Sequence, residues 1–316
     1  MEQITINKDF DIAKNKLHCK RLFWTQEKLY NYKEPVYIKT GFKLFDEMTY
    51  GIGLGNLIKI QAPTGEGKTS FLTSLMLSAA KNNPHRQFVY IDYEMSEDYL
   101  LNAELCYTHN IKQNTLRFNF NSVKNIINLD LVNSLNNISY IEYDPFDKSF
   151  WKNVFVYCKE MHIDVIFFDY IGAVISSGDD AAWIKLKEEA SIIAANAKSY
   201  DIAVVFAQQT NKDIKQIDKH NLPSTPFDES YSAGSSQVAQ KCDVSMTLIQ
   251  LDKLLDGSYD YRLDLHKGRQ GQEKCCRYFT FNIDTFKLET LAKSFELLTK
   301  TNYESGVKKN NIKKGK

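Results

Sequence analysis

The sequence lacks any long apolar run and carries little net charge. No apolar stretch approaches the roughly 20 residues that a membrane-spanning helix needs, and Met1 to Ile4 do not begin a signal-peptide pattern. The formal net charge of the 316 residues is only +1, which argues against a strongly basic nucleic-acid-binding module. We therefore expect a cytoplasmic protein with no membrane partner.

Cysteine is scarce and shows no paired spacing. Apart from the adjacent Cys275 and Cys276, the six cysteines are scattered along the chain, and none has the spacing of a zinc site. We expect reduced thiols, most of them packed in the interior. No metal site follows from the cysteines.

The chain does contain a glycine-rich segment between an apolar strand, residues 57–60, and a helix, residues 70–80. Its pattern is a small residue, four variable residues and Gly-Lys-Thr, and with the next serine it comprises Ala62, Pro63, Thr64, Gly65, Glu66, Gly67, Lys68, Thr69 and Ser70. Backbone amides in such a loop face phosphate oxygens, and the helix N-terminus adds partial positive charge.

This phosphate loop predicts a nucleotide triphosphatase that uses ATP and Mg²⁺. Lys68 is expected to reach the β and γ phosphates, and the Thr69 hydroxyl is expected to bind the magnesium ion. The alternative is a glycine-rich turn that matches the pattern by chance, which the strand before it and the helix after it disfavour.

Alternating strands and helices predict a mostly parallel sheet with helices on both faces. The strands expected after the phosphate loop are 88–93, 163–169, 202–207 and 243–250. The strand 163–169 is almost continuously apolar, which indicates burial on both sides.

A helix and a hairpin complete the predicted domain. Segment 183–199 predicts an amphipathic helix with an inward stripe of Ile184, Leu186, Ala190, Ile193 and Ala197. Residues 260–266 and 275–283 alternate as an antiparallel hairpin does, with Lys267 to Gln272 at or near its turn. The length and the 43% hydrophobic content predict one large α/β domain.

Three polar residues stand at strand ends, where a parallel sheet places its ligand crevice. Asp169 closes an apolar strand and is the candidate to hold a magnesium-bound water; the alternative is a buried aspartate that caps a turn. Glu94 ends the strand before it and is the candidate to polarise the attacking water, or else an acid at a helix start. Gln209 is a candidate γ-phosphate sensor, although Gln208 beside it leaves the register open.

Six segments resemble, in order and approximate spacing, the motifs of the DnaB-like replicative helicases. They are Thr40–Glu47, the phosphate loop, Tyr93–Ser96, Phe168–Tyr170, Gln209–Lys212 and Lys267–Gly271. The resemblance spans residues 36–290. The chain departs from the family pattern at Ala62, where a glycine is usual, and at Lys212, where an arginine is frequent. It resembles a motor domain alone, as in some bacteriophage versions.

The resemblance implies a RecA-like P-loop ATPase core with a mostly parallel central sheet, flanking helices and a C-terminal antiparallel hairpin. It also implies a homo-oligomer, a six-membered ring, with ATP between neighbouring subunits. Lys267 and Arg269 of one subunit would then act on the γ-phosphate bound by the next. Without the family, two basic residues on a turn are usually just solvated.

The partners that the resemblance implies are single-stranded and forked DNA, with a primase or helicase loader. Residues 172–182 and 211–235 would line the DNA channel, although the first of these loops also fits a flexible connection. Two alternatives stay open: a RecA- or RadA-like recombination ATPase that forms filaments on DNA, and a nucleotide-switched binding protein that turns ATP over slowly.

The expected domain organisation has three parts. Residues 1–35 form an N-terminal linker whose amphipathic helix, 12–30, packs on the adjacent subunit or on its own domain. Residues 36–295 form the motor domain. Residues 296–316 form a basic tail, expected to be disordered, that attracts nucleic acid weakly or serves solubility.

Overall fold

The computed structural model describes residues 34–169, 171, 180–210 and 236–289, together with positions 30, 31, 222 and 226. The α-helices in this part of the chain are α1 (Lys43–Thr49), α2 (Lys68–Asn82), α3 (Glu97–His109), α4 (Gln113–Phe118), α5 (Leu129–Val132), α6 (Phe150–Glu160), α7 (Asp180–Tyr200) and α8 (Ser236–Lys241). The strands are β1 (Tyr37–Ile38), β2 (Ile52–Gly53), β3 (Leu57–Ala62), β4 (Gln87–Asp92), β5 (Ile138–Glu142), β6 (Ile163–Asp169), β7 (Ala203–Gln209), β8 (Val244–Lys253), β9 (Tyr259–Gly268), β10 (Cys275–Asn282) and β11 (Lys287–Glu289).

A nine-stranded sheet has the order β11-β10-β9-β8-β3-β7-β6-β4-β5. From β8 across to β5 every neighbouring pair is parallel, whereas β9, β10 and β11 are added antiparallel. The short strands β1 and β2 form a separate antiparallel pair. The predicted fold class, a mostly parallel α/β sheet with a C-terminal antiparallel hairpin, is confirmed.

Helices cover both faces of the parallel strands, and each face has its own core. On one face, Phe71 and Leu75 of α2 pack with Phe167 and Val205 from the sheet. On the other, helices α6 and α7 pack on alternate residues of the same strands, including Phe168. Burial on both faces explains why the central strands are almost continuously apolar.

The predicted inward stripe of α7 is wrong at one position. Leu186, Ala190, Ile193 and Ala197 are buried, but Ile184 is 59% exposed. The four buried residues follow at intervals of four, three and four, which keeps them on one face of a helix. Ile184 lies two residues before Leu186, about 200° around the axis at 3.6 residues per turn, and therefore faces away.

Several elements differ from the expectation in extent. Strand β5 on the far edge of the sheet, the final strand β11 and the β1–β2 pair were not predicted. Strand β4 ends at Asp92, so Glu94 follows the strand by two residues and does not end it. None of the helices in the described ranges is long and apolar enough to cross a bilayer.

Some sequence predictions fall outside the described residues. These are most of the N-terminal helix 12–30, residues 172–179 and 211–221 of the predicted DNA loops, Lys212 among them, and the tail 296–316. The predicted division into linker, motor domain and tail stays a prediction. The residues from Val36 onward form one compact unit.

Candidate active site at the carboxyl edge of the sheet

The phosphate loop connects the carboxyl end of β3 to the start of α2. Gly65 and Gly67 have φ angles of +82° and +78°, values that side chains disfavour. The Phe71 amide donates to the Gly67 carbonyl at 2.8 Å, which closes the first turn of α2. The loop therefore has the strand, turn and helix context that a phosphate cradle needs.

Two strands outside the loop fix its middle. The Gln250 amide of β8 donates to Glu66 Oε2 at 3.2 Å, and the Tyr261 hydroxyl of β9 donates to the Glu66 carbonyl at 3.3 Å. A Cβ atom on Gly67 would lie 2.9 Å from that hydroxyl, whereas a Cβ on Gly65 would meet nothing within 4 Å. The loop is anchored at Glu66 and open at Thr64 and Gly65, which are exposed.

Asp169 and the start of α2 lie close together. Asp169 is buried at the carboxyl end of β6, and Tyr90 donates to its Oδ2 at 3.5 Å. Burial raises the pKa of Asp169, while a hydrogen bond from Thr69 and the charge of Lys68 act in the opposite direction. The predicted phosphate, metal and acid residues are therefore brought together.

Asp92 is a site residue that sequence reasoning missed. It lies at the carboxyl end of β4, directly opposite Asp169 in the strand register, and it is buried. Burial raises the pKa of Asp92 to about 7, and the charge of Asp169 adds to the shift. The signal was present in the sequence as a carboxylate ending an apolar strand, but the motif residue Glu94 drew attention away from it.

The oxygens at this edge suit a magnesium ion. Among the described residues, Asp169 Oδ1 and Asp92 Oδ2 are buried and have no hydrogen-bond partner. Two such carboxylates and the Thr69 hydroxyl are the hard oxygen donors that Mg²⁺ prefers. The described residues contain no cluster of three or more metal-binding side chains, so water and phosphate oxygens would complete the coordination.

Glu94 lies in the turn between β4 and α3, and Asp92 holds that turn. Asp92 Oδ1 accepts the backbone N–H groups of Glu94 and Met95 at 2.7 and 2.8 Å. Glu94 itself is exposed and lines an open cavity of about 510 Å³, which continues past Tyr99 to Arg117. Its carboxylate is thus at the site but open to solvent on one side.

The strand register decides between the two glutamines at the end of β7. Gln209 pairs with Ala62, the last residue before the phosphate loop. It is on the same side of β7 as Val205 and Ala207, which pack toward α2, whereas Gln208 follows Val204 and Phe206 on the opposite face. Gln209 is therefore the residue that faces the phosphate loop.

Lys267 and Arg269 are not brought to this site within one chain. Lys267 pairs with Ser245 at the start of β8, next to Lys59 of β3. Its Nζ donates to the Ala239 carbonyl at 2.7 Å, and Arg269 forms an ion pair with Asp243 at 3.2 Å. Both basic residues lie toward the amino edge of the parallel strands, while the phosphate loop leaves the carboxyl edge.

Comparison with known proteins settles the family. The family model of the DnaB-like helicase C-terminal domain matches residues 37–289. This chain belongs to the DnaB-like helicase family. The match covers the phosphate loop, both strand-end aspartates and the turn of Lys267 and Arg269, so the resemblance drawn from the six motifs is confirmed.

Individual relatives of the DnaB-like family agree with this assignment. The replicative DNA helicase DnaB of Mycoplasma genitalium is 23% identical over 190 residues, which cover 57% of this chain and 40% of the relative. The chain therefore matches less than half the length of that protein.

Solved structures show the same fold. A DnaB-like replicative helicase, studied with its interactions with primase, superposes with a TM-score of 0.66 at 15% identity and covers 86% of this chain and 68% of that one. A second solved structure, the ATPase domain of another protein, gives 0.64 at 15% identity, covering 89% of this chain and 98% of that one. These matches confirm the RecA-like core and do not favour a recombinase over a helicase.

Proposed function

We propose that the chain is the ATP-hydrolysing motor of a replicative DNA helicase, which assembles into a six-membered ring, moves along single-stranded DNA and separates forked DNA. One observation carries the proposal. The phosphate loop and its acids lie at one edge of the sheet, whereas the basic turn lies toward the other. The site is thus incomplete in one copy, and a second copy can complete it.

Within one subunit, the chemistry is the in-line attack of water on the γ-phosphate. Lys68 and the loop amides bind the phosphates, and Thr69 and Asp169 hold Mg²⁺, which would neutralise charge on the phosphate oxygens. Glu94 accepts the proton of the attacking water. Gln209 senses the γ-phosphate by a hydrogen bond.

The neighbouring subunit supplies Lys267 and Arg269. Ile58 pairs with Val244 near the start of β3, and Ala62 ends that strand four residues later. This is a separation of about 13 Å along the strand at roughly 3.3 Å per residue. The two edges would meet when one subunit packs beside the next. Cations from the neighbour would then stabilise the charge that develops in the transition state.

An exposed apolar surface supports assembly between copies. Phe118 is 78% exposed, Leu129 66% and Ile126 62%. These residues lie around α4 and α5, beyond the open cavity beside Glu94. Contiguous exposed apolar side chains mark protein interfaces. The N-terminal amphipathic segment 12–30 of an adjacent subunit is the partner that we assign to this surface.

DNA and replication partners follow from the proposed motor. The loops 172–182 and 211–235 would follow the backbone of one strand through the ring, with few cations in each subunit but many around six. A primase or a helicase loader is the protein partner that we propose. The setting would be the cytoplasm of a bacterial or phage-infected cell.

A mixing experiment tests the shared site. Arg269→Ala subunits retain a working phosphate loop, and Lys68→Ala subunits retain a working basic turn. Each variant alone should hydrolyse ATP at least about 100-fold more slowly than the wild type, because transition-state stabilisation is lost. Mixed oligomers should recover hydrolysis at those interfaces where the two intact halves meet.

Native mass measurement with an ATP analogue, with and without single-stranded DNA, provides the control for assembly. If mixed oligomers form and no activity returns, the shared site is wrong. A chain that stays monomeric and hydrolyses ATP at full rate would contradict the ring as well.

A further inference from the structure

The turn that carries Arg269 is fixed by a reciprocal pair of side-chain amides. Asn56 Nδ2 donates to Gln270 Oε1 at 3.1 Å, and Gln270 Nε2 donates to Asn56 Oδ1 at 3.1 Å. The Tyr37 hydroxyl also donates to Gln270 Oε1. Three hydrogen bonds thus hold the side chain next to Arg269, although Gln270 itself is exposed.

A second glutamine holds the same turn from inside. Gln272 is 8% exposed, its Oε1 accepts the Gln270 N–H at 3.0 Å, and its Nε2 donates to the Thr49 carbonyl at 3.2 Å. A Cβ on Gly268 would lie 2.4 Å from Gln272 Cβ. The glycine therefore leaves the space into which Gln272 folds back. We call Asn56, Gln270 and Gln272 the amide clamp.

The clamp bridges segments that are far apart in sequence. Asn56 stands just before β3, and Thr49 ends α1, while the two glutamines are more than 200 residues later. By contrast, Gly271, Glu273 and Lys274 of the same turn are exposed. The bonds are concentrated on the residues that follow Arg269, so they fix the backbone from which its side chain projects.

Fixing that backbone matters because arginine has a long, rotamer-rich side chain. A cation contributes most to a transition state when it is held in place before the reaction, and a misplacement of about 1 Å can cost about 100-fold in rate. Arg269 also donates its backbone N–H to the Asp243 carbonyl at 3.0 Å, which fixes the start of the turn. Its base is thus held on both sides.

We propose that the amide clamp is a positioning device for Arg269, which orients the guanidinium toward the triphosphate of the adjacent subunit. This inference rests on the proposed shared site. Gln270 and Asn56 are positioning residues: they do not touch the nucleotide, and they act through the turn. No described hydrogen bond from Asn56 or Gln270 reaches the phosphate loop of their own chain.

The test uses full-length Gln270→Ala and Asn56→Ala variants. Each should lower kcat for ATP hydrolysis about tenfold and leave KM for ATP within about twofold, because the bound nucleotide of the same subunit is untouched. The double variant should be no slower than the slower single variant, since both changes break the same pair of bonds. Lys274→Ala, which removes an exposed cation from the same turn, is the matched control and should keep full kcat.

The decisive readout is recovery in mixed oligomers with Lys68→Ala subunits. A displaced turn is replaced by the intact turn of the Lys68→Ala neighbour, so hydrolysis should rise above that of either variant alone. A general folding defect in the Gln270→Ala subunit would not recover in this way. Because Gln270 is exposed, this variant remains informative if Asn56→Ala does not fold.

The outcomes separate the two proposals. If Arg269→Ala recovers with Lys68→Ala but Gln270→Ala has normal kcat, or a loss that mixing does not restore, the clamp is wrong and the shared site stands. If Arg269→Ala itself fails to recover in assembled mixtures, the shared site fails, whatever the clamp variants do.

Discussion

At the scale of single residues, Asp92 changes how the acidic edge of the site is understood. The sequence identified Glu94 and Asp169 from their places at or near strand ends, but it did not show that a third carboxylate stands between them in space. Asp92 Oδ1 ties down the turn that carries Glu94, while Oδ2 faces no described hydrogen-bond donor. Its main contribution is to fix the backbone of the candidate general base.

Substitution of Asp92 should therefore separate the turn from the charge. Asp92→Ala removes both acceptor bonds and should reduce kcat by about 10- to 100-fold, because Glu94 loses its orientation. Asp92→Asn keeps an oxygen that can accept the same two N–H groups, and its kcat should stay within about threefold of the wild type. Steady-state ATP hydrolysis, with nucleotide binding measured separately, checks this expectation.

Equal loss of activity in both Asp92 variants would show that the negative charge matters and the turn does not. The residue-level predictions from sequence were good where a motif combined with strand geometry, as for Lys68, Thr69 and Asp169. They were incomplete where only three-dimensional neighbours reveal the role. Asp92 and Gln270 have no distinctive spacing, and their contacts come from other strands and turns.

At the scale of elements, the phosphate loop combines an anchored half and an open half. Both glycines have left-handed φ angles, but only the site at Gly67 is crowded, by the Tyr261 hydroxyl. The strain of a left-handed side chain is thus common to both positions, and the steric contact is specific to one. This pairing gives a direct measure of how tightly β9 holds the loop.

Gly67→Ala should destabilise the protein more than Gly65→Ala does. Each variant should lose about 1 to 3 kcal/mol of unfolding free energy from backbone strain, and Gly67→Ala should lose more because its Cβ lies 2.9 Å from the Tyr261 hydroxyl. Urea unfolding without nucleotide provides the measurement. Adding Tyr261→Phe to Gly67→Ala should recover part of the difference; equal stability of the two alanine variants would contradict the contact.

The elements themselves were largely predictable, for a physical reason. Strands buried on both faces have continuous apolar runs, and helices between them have a 3.6-residue period, so β4, β6, β7 and α7 were found. The edge strand β5 was missed because its residues are only partly buried and show no such run. Ile184 was misplaced because its hydrophobicity, and not its angle around α7, was taken as evidence for burial.

At the scale of the whole molecule, the unit from Val36 onward contains both hydrophobic cores. Its folding therefore does not depend on the first 35 residues, which we assign to contacts between subunits. The sequence predicted this domain and its family, because the motifs and their order survive at low identity. It could not predict where the basic turn lies relative to the phosphate loop, since that depends on the strand order.

Removal of residues 1–35 should separate folding from assembly. The shortened chain should keep its circular dichroism spectrum and should lose no more than about 1 kcal/mol of unfolding free energy, because both cores remain. Its tendency to form rings should fall, and ATP hydrolysis should fall with it at low protein concentration. Native mass measurement over a dilution series checks this; full-strength assembly would place the N-terminal segment on its own domain.

The antiparallel addition of β9 to β8 has a consequence for symmetry. It returns the chain to the amino edge, so each molecule carries a donor surface and a different acceptor surface. A two-fold pair would match each surface with itself, and only a head-to-tail, heterologous arrangement can satisfy both. An open row always leaves one acceptor unserved at its end, and closure alone gives every copy a working neighbour.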